Sequence, residues 1–435
     1  MTILNSKLRV AWFSPLNFDG KVRSSSTSAY FTDLVSNKLK TSFEIDFYTD
    51  ADGEYQGTPT LNYLSFYQHH RKNPYSIVFY QFEDSKAANF VRMHLGLIPG
   101  ITLFHDLLIK EEMPPPLTFS AWPEILKGFN QNSLTFPKKY PQPDRGPFAY
   151  REVSLSPVSL FTSQRLCGEA KRLVPDFIGS NEYQGQLSKL YLPMPTSDNV
   201  QLSMRDKSKD VLEIVFAGDV GVEHRAHKVL LALREVSIDY RLKWLVSNKD
   251  ISRAKELCSE FAVLNVEILV EKSPKKWSEL VAKSDLALHT LFSVYGTPGP
   301  YLQISLMAGT PSVVTDFAEG EYIPNDVVFK IEPGNQEAQQ LSKTIESFYF
   351  LKLDEREAIS KNARRYALEN YASNVTAENL KDIFLREAPF FSNIYRHWQD
   401  IEMFGRQEVL AANFEIFDQK YLHDAFKELG FLENA

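Results

Sequence analysis

Short runs of apolar, often β-branched residues alternate with longer amphipathic stretches along most of the chain, and this alternation is the strongest constraint on its fold. Runs apolar at successive positions are buried on both faces, as in a parallel sheet covered by helices. In the first half they predict strands at Leu8–Phe13, Phe43–Tyr48, Ser76–Gln81, Ile101–His105, Val158–Thr162 and Lys189–Pro193. In the second half the pattern recurs at Glu213–Ala217, Tyr240–Val246, Val266–Val270, Leu286–His289, Ser312–Thr315 and Val327–Ile331. The reading is α/β, with two doubly wound sheets. The first helix is expected to start in the Ser24–Thr27 cluster, whose hydroxyls suit a helix cap.

At 435 residues the chain exceeds one ordinary core, which favours two such domains. The first is placed at 1–195, with an insertion at 110–151 rich in proline and aromatic residues. A linker at 196–210, within a polar stretch that begins near Pro193, leads to a second domain at 211–386. A helical extension at 387–435 follows, from the spacing of Phe414, Phe417, Tyr421 and Phe426.

The net charge of -7 leaves no basic field for nucleic acid, though it permits a local cationic pocket. Cys167 and Cys258 are too few for a disulfide framework or a zinc site and read as buried thiols in a reducing compartment. The first apolar run reads as a strand rather than a secretory signal, and no run is long enough to span a membrane. A cytoplasmic location is expected, compatible with peripheral contact with a membrane.

Three segments carry candidate chemistry. After Ala217 comes GDVGVEHRAHKVLLALREV, a turn and then a helix whose start holds His224, Arg225, His227 and Lys228. A helix start favours anions, and Arg225 and Lys228 would add charge to stabilise a departing diphosphate. The alternative is that the two merely solvate a surface helix. Their joint replacement by alanine is expected to weaken diphosphate binding and leave the thermal transition nearly unchanged.

The second segment, HTLFSVYGTPGPYLQISLMAGTPSVVTD, joins strand, Gly/Pro loop, helix, turn and strand. Gly296 and Gly299 allow close backbone approach to a ligand, whereas Gly309–Pro311 reads as a structural turn. In the third, Phe104-His105-Asp106 puts an imidazole at a strand end, as a donor to a sugar hydroxyl or as a histidine satisfied by backbone. The first βα loop, Ser14 to Gly20, offers amides at the same sheet edge but lacks GxGxxG. Neither a P-loop nor HExxH, GxSxG or a paired-cysteine pattern occurs.

With RVAWFSPL, ITLFHDLLI, SDLALH and SLMAGTPSVVTD in that order, the chain resembles glycosyltransferase family 4 from about Leu8 to about Phe384. The stretches DVVFKIEPGNQEAQQLSKTI and KNARRYALENYA resemble later elements of the same family. The resemblance implies a GT-B fold, two Rossmann-like domains facing a central cleft. It implies retaining transfer of a sugar from a nucleotide-diphosphate donor to a saccharide or lipid-linked acceptor in glycan or polysaccharide biosynthesis. It also implies no metal or other cofactor, with the acceptor on the first domain and the nucleotide sugar on the second.

By position, His105 matches the family's catalytic-cleft histidine, and Arg225 and Lys228 lie where it places diphosphate cations. Ser293, Tyr295, Gly296, Thr297 and Gly299 match its donor-contacting loop, and Gly20 joins them on the donor side. The chain is atypical in lacking the glutamates of E-x7-E. No glutamate occurs between Glu279 and Glu319, and Ser293 and Gln303 or Ile304 fall near the expected positions. Asp219 stands where an arginine is common, and His224 or Arg225 where a lysine is. The alternative function is a non-catalytic GT-B scaffold that binds a sugar or partner and has lost its donor site.

Overall fold

The computed structural model describes residues 7–18, 26–51, 53–95, 98–107, 149, 152–153, 156–173, 186–194, 211–270, 274–292 and 300–396. The expected linker 196–210, nearly all of the insertion 110–151 and residues 397–435 of the expected extension lie outside the described residues. The chain divides into two compact units, with described parts at residues 7–190 plus 377–396 and at residues 191–376.

The first unit runs β1 (Leu8–Phe13), α1 (Thr27–Leu39), β2 (Phe43–Thr49), β3 (Glu54–Tyr55), β4 (Thr58–Pro59), β5 (Leu61–Asn62), α2 (Phe66–Lys72), β6 (Ile77–Phe82), α3 (Asn89–Leu95), β7 (Ile101–Phe104), β8 (Val158–Phe161), α4 (Gln164–Leu173) and β9 (Gln186–Lys189). Its seven-stranded sheet has the order β5-β2-β1-β6-β7-β8-β9, and every pairing is parallel. β1 lies central, Leu8 opposite Phe43 and Val10 opposite Ile77. Val10, Ala11, Trp12 and Phe13 are all fully buried, so both faces of the strand are covered, as the unbroken apolar run requires. Ser26 caps α1 by accepting the Ala29 N–H, within the expected hydroxyl cluster.

The second unit runs β10 (Leu212–Ala217), α5 (Ala226–Glu235), β11 (Tyr240–Val246), α6 (Ile251–Glu260), β12 (Val266–Val270), α7 (Pro274–Val281), β13 (Leu286–His289), α8 (Tyr301–Met307), β14 (Ser312–Thr315), α9 (Glu319–Tyr322), β15 (Phe329–Ile331), α10 (Glu337–Phe350) and α11 (Leu353–Tyr371). Its six strands are parallel in the order β12-β11-β10-β13-β14-β15. Trp244, Leu233, Leu341, Ile345 and Phe348 form part of the core under α5 and α10. Gly309 ends α8 with φ +71°, the left-handed geometry that makes glycine the usual residue just past a helix, and so its turn is structural.

Two expectations shift. The run Lys189–Pro193 was expected as a strand, but β9 is the preceding Gln186–Lys189. Leu190 N–H still donates to the Phe161 carbonyl at the end of β8, and beyond it Met194 N–H donates to the Tyr371 carbonyl, Ser373 N–H to the Met194 carbonyl, and Tyr191 packs edge-on against Tyr371 at 5.1 Å. The units therefore part at Leu190–Tyr191. A last helix, α12 (Ser373–Arg396), carries the chain back to the first unit from Ala377 onward, where Phe384 packs on Phe43 and Phe79 and the Tyr395 hydroxyl donates to the Pro99 carbonyl at 2.6 Å. Residues 377–386, assigned from sequence to the second domain, thus belong to the first unit. No helix among the described residues is long and apolar enough to cross a membrane.

Candidate functional site

In the second sheet the chain leaves β10 for β11 and β12 on one side, then returns to β13 on the other. Loops leaving the carboxyl ends of β10 and β13 therefore diverge and open a crevice, the usual ligand position in a doubly wound sheet. A cavity of about 250 Å³ occupies it. Ala217 at the end of β10, His289 at the end of β13 and Thr315 at the end of β14 line it, together with Glu223, His224, Tyr301 and Glu319.

The loops around the cavity are tied to one another. Gly218 follows β10 where a Cβ would meet the Phe216 ring at 2.6 Å, and its carbonyl accepts the Trp244 indole N–H at 2.7 Å. Asp219 accepts the Ser247 N–H at 3.0 Å. The Thr290 hydroxyl donates to the His224 carbonyl at 2.8 Å and the Phe292 N–H to the Glu223 carbonyl at 2.7 Å. Phe292 stacks on Phe317 at 4.1 Å, which joins the β13 and β14 loops.

Arg225 stands between a 3₁₀ turn (Val222–His224) and α5 with φ +55°, a left-handed conformation that costs a side-chain-bearing residue about 1–2 kcal/mol. That backbone sends its guanidinium to the Glu337 carboxylate at the start of α10 and over the Phe292 ring at 5.1 Å. Glu337 is fully buried. Lys228 sits half-buried in the first turn of α5, where its N–H donates to the Arg225 carbonyl. Burial, with the charges of Lys228 and Arg225, pulls the His227 imidazole below its ordinary value. Neither Arg225 nor Lys228 is among the residues that line the cavity.

His289 closes β13 with its Nε2 hydrogen-bonded to the Ser305 hydroxyl at 3.1 Å and its ring edge-on to Trp277 at 5.8 Å. Burial pushes its pKa down to about 3, so it works as a neutral imidazole. Beyond β14 the chain turns sharply. Ala318 has φ +54° and ψ -122°, the geometry of the first central position of a type II′ turn, which glycine normally takes. A Cβ on Gly320 would come within 2.2 Å of the Thr315 carbonyl oxygen. Between these two residues Glu319 is held on the cavity wall, 3% exposed.

In the first unit His105 follows β7 and is fully buried. Gln81 donates its amide N–H groups to Ser14 and Thr32, which leaves its Oε1 to accept from Nε2 of His105 at 3.0 Å. Burial lowers the pKa of this imidazole also to about 3. Its partner is thus a side chain, whereas the sequence allowed a backbone one. At the nearby start of α1 the Glu83 carboxylate accepts the Ser28 N–H at 2.9 Å and the Ser26 hydroxyl at 3.2 Å, so an internal anion already sits there.

The structure thus gathers His224 with residues not singled out from sequence, Glu223, His289, Thr315 and Glu319, and sends Arg225 to Glu337. Gly20, Ser293, Tyr295, Gly296, Thr297 and Gly299 lie outside the described residues. Glu319 had a signal, because it falls within a few residues of the end of a predicted strand, at the ligand edge of the sheet. Glu83 and Glu337 had none, their roles depending on neighbours far away in sequence. Among the described residues no group of three His, Cys, Asp or Glu side chains is placed to hold a metal ion.

No protein-family model and no curated protein sequence matches the chain. Solved structures do. A glycosyltransferase from Rickettsia africae ESF-5 superposes with TM-score 0.58 at 11% identity, over 87% of this chain and 98% of that one. Anabaena Alr3699/HepE, in complex with UDP and glucose, gives 0.54 at 12% identity, over 87% and 100%. The catalytic domain of starch synthase IV from Arabidopsis thaliana, bound to ADP and acarbose, gives 0.62 at 9% identity, over 88% and 100%. The fold is therefore that of the GT-B glycosyltransferases, two Rossmann-like units with parallel sheets and helices at the carboxyl end of the described chain.

Proposed function

We propose that the chain is a glycosyltransferase that takes a sugar from a nucleotide-diphosphate donor and passes it, with retention, to a saccharide or lipid-linked acceptor in glycan biosynthesis. One observation carries the reading: the cavity at the switch point of the second sheet, in a fold whose solved neighbours are glycosyltransferases. The donor would sit in that cavity, Ser293, Tyr295, Gly296, Thr297 and Gly299 are assigned to it on the family resemblance alone, and the acceptor is assigned to the first unit.

As the bond to the diphosphate breaks, negative charge grows on the leaving group and needs compensation. His224 on the cavity wall and Lys228 in the first turn of α5 are assigned to it. Arg225 contributes from its place between Glu337 and Phe292. His105, neutral and with its one N–H given to Gln81, is assigned to the transferred sugar as a hydrogen-bond acceptor through Nδ1 rather than as an acid. The leaving phosphate itself accepts the acceptor proton, so the reading invokes neither a protein nucleophile nor a metal or other cofactor. It places the chain in the cytoplasm, with peripheral contact at a membrane where the acceptor is lipid-linked.

The test is calorimetric titration with a panel of nucleotide sugars, followed by assay of donor hydrolysis and transfer. Binding and turnover of one donor support the reading, and no binding and no turnover of any donor overturn it. A second reading, a non-catalytic scaffold, is favoured by Asp219 at the first turn and by the engagement of Arg225 with Glu337, which together leave the turn short of cations. Absence of both binding and turnover for every donor would select it.

A further inference from the structure

We infer that Glu337 competes with the ligand's diphosphate for Arg225, as an internal anion that holds this cation back from the switch-point cavity until the ligand takes it over. The inference rests on the proposed function and names the residue that sets how tightly the diphosphate is held. Arg225 directly follows His224, which lines the cavity, yet is not itself a lining residue. Its guanidinium lies over the Phe292 ring, and Phe292 stacks on Phe317, which does line the cavity, so the cation is linked to the wall through a single ring. Glu337 holds it there.

The hold is incomplete. One guanidinium nitrogen, Nη2, meets one carboxylate oxygen, Oε2, while Nε of Arg225 and Oε1 of Glu337 are buried and make no hydrogen bond with the described residues. Arginine binds an anion best through two parallel N–H groups, and a phosphate offers the oxygens for that fork. Arg225 is presented on a left-handed backbone at φ +55°, where glycine is the usual residue, so its position is held at a cost. Glu337, for its part, keeps other support when the cation leaves. It stands in the first turn of α10, where the helix dipole favours a carboxylate, and its Oε2 also accepts the Gly334 N–H at 3.4 Å. A phosphate that engages Nε and an Nη of Arg225 together gains a bidentate contact that Glu337 does not make. The broken pair offsets part of that gain, and in this way Glu337 sets the affinity.

The experiment is titration of the full chain and of its E337Q, R225M and R225M/E337Q variants with UDP, ADP and GDP, with the corresponding nucleotide sugars, and with the nucleoside of whichever binds. In E337Q the guanidinium has lost its charge partner and a bound diphosphate supplies one. Affinity for the diphosphate ligand should therefore rise by about 10- to 100-fold, the range for a hydrogen bond to a charged group, while affinity for the nucleoside stays the same. The rise should vanish without Arg225, so that R225M and R225M/E337Q bind alike. A purely structural role for Glu337 in placing Arg225 would move the affinity the other way. Equal or weaker diphosphate binding by E337Q, or a rise that persists on the R225M background, overturns the inference alone. E337D draws the carboxylate back from the guanidinium and keeps its charge at the start of α10; it should show a smaller rise and is read in the same way if E337Q does not fold. No binding of any nucleoside diphosphate or nucleotide sugar by wild type overturns the proposed function and this inference with it.

Discussion

Replacing Arg225 by alanine should lower the stability of the second unit by about 3–5 kcal/mol, the usual cost of removing one partner of a buried ion pair. The magnitude follows from the burial of the pair. Glu337 is fully buried and the Arg225 side chain is 15% exposed, so little solvent screens them, and Glu337 without the guanidinium becomes an uncompensated buried charge. Loss of the cation–π contact with Phe292, 5.1 Å from ring to guanidinium, adds about 0.5–1 kcal/mol. Calorimetric melting reads the effect: a unit of this size shifts about 2–4 °C per kcal/mol, so the transition should fall by about 7–24 °C. An R225G variant should recover about 1 kcal/mol of that loss, because glycine takes the left-handed backbone at this position without strain. R225M/E337Q should recover most of the rest by removing the buried charge. This replaces the sequence-based expectation that alanines at Arg225 and Lys228 leave the transition nearly unchanged. An R225A transition within about 1 °C of wild type would refute the reasoning.

Other outcomes follow from the same interactions. Burial lowers His70 to about 4 and His94, His105 and His289 to about 3, below the unfolded value, so the unfolded chain takes up protons first as pH falls. The stability gained by keeping them neutral is complete above about pH 6.5 and is lost below it, on the order of 2 kcal/mol per imidazole by pH 5. Urea unfolding at pH 7, 6 and 5 should show that decline, a shallower decline in H105Q would locate one share of it, and equal stability at all three would contradict the burial argument. A318G should stabilise the second unit by about 1 kcal/mol, the strain at φ +54° exceeding the entropy cost of a glycine, as melting would show. A loss of stability in that variant would mean that the turn is not strained. K228A, on a half-buried residue, should change stability by less than about 0.5 kcal/mol while weakening nucleotide-diphosphate binding, and unchanged affinity would remove Lys228 from the site.

The strands were legible where a run rich in apolar residues met the sheet, and Leu8–Phe13, Tyr240–Val246, Val266–Val270, Leu286–His289 and Ser312–Thr315 begin and end where the pattern places them, Val266–Val270 at a partly exposed edge. Lys189–Pro193 misled because Tyr191 packs on Tyr371, a contact far away in sequence that leaves no local periodicity. The edge strand Leu61–Asn62 and the small hairpin before it were too short to leave a pattern. At the site the loops after β10 and β13 were legible as the ligand edge of a sheet. The destination of each side chain was not. Arg225 looks like a free cation in sequence because nothing local announces Glu337, 112 residues away, and His105 gives no sign of its bond to Gln81.

The central claim, that the donor binds at the switch point of the second sheet, is tested most directly by hydrogen–deuterium exchange with the tightest-binding nucleotide sugar at saturation. The account predicts slowed exchange in residues 217–225, 289–292 and 315–320, the segments that form and tie together the cavity. Protection confined to the first unit, with those three segments unchanged, would contradict it.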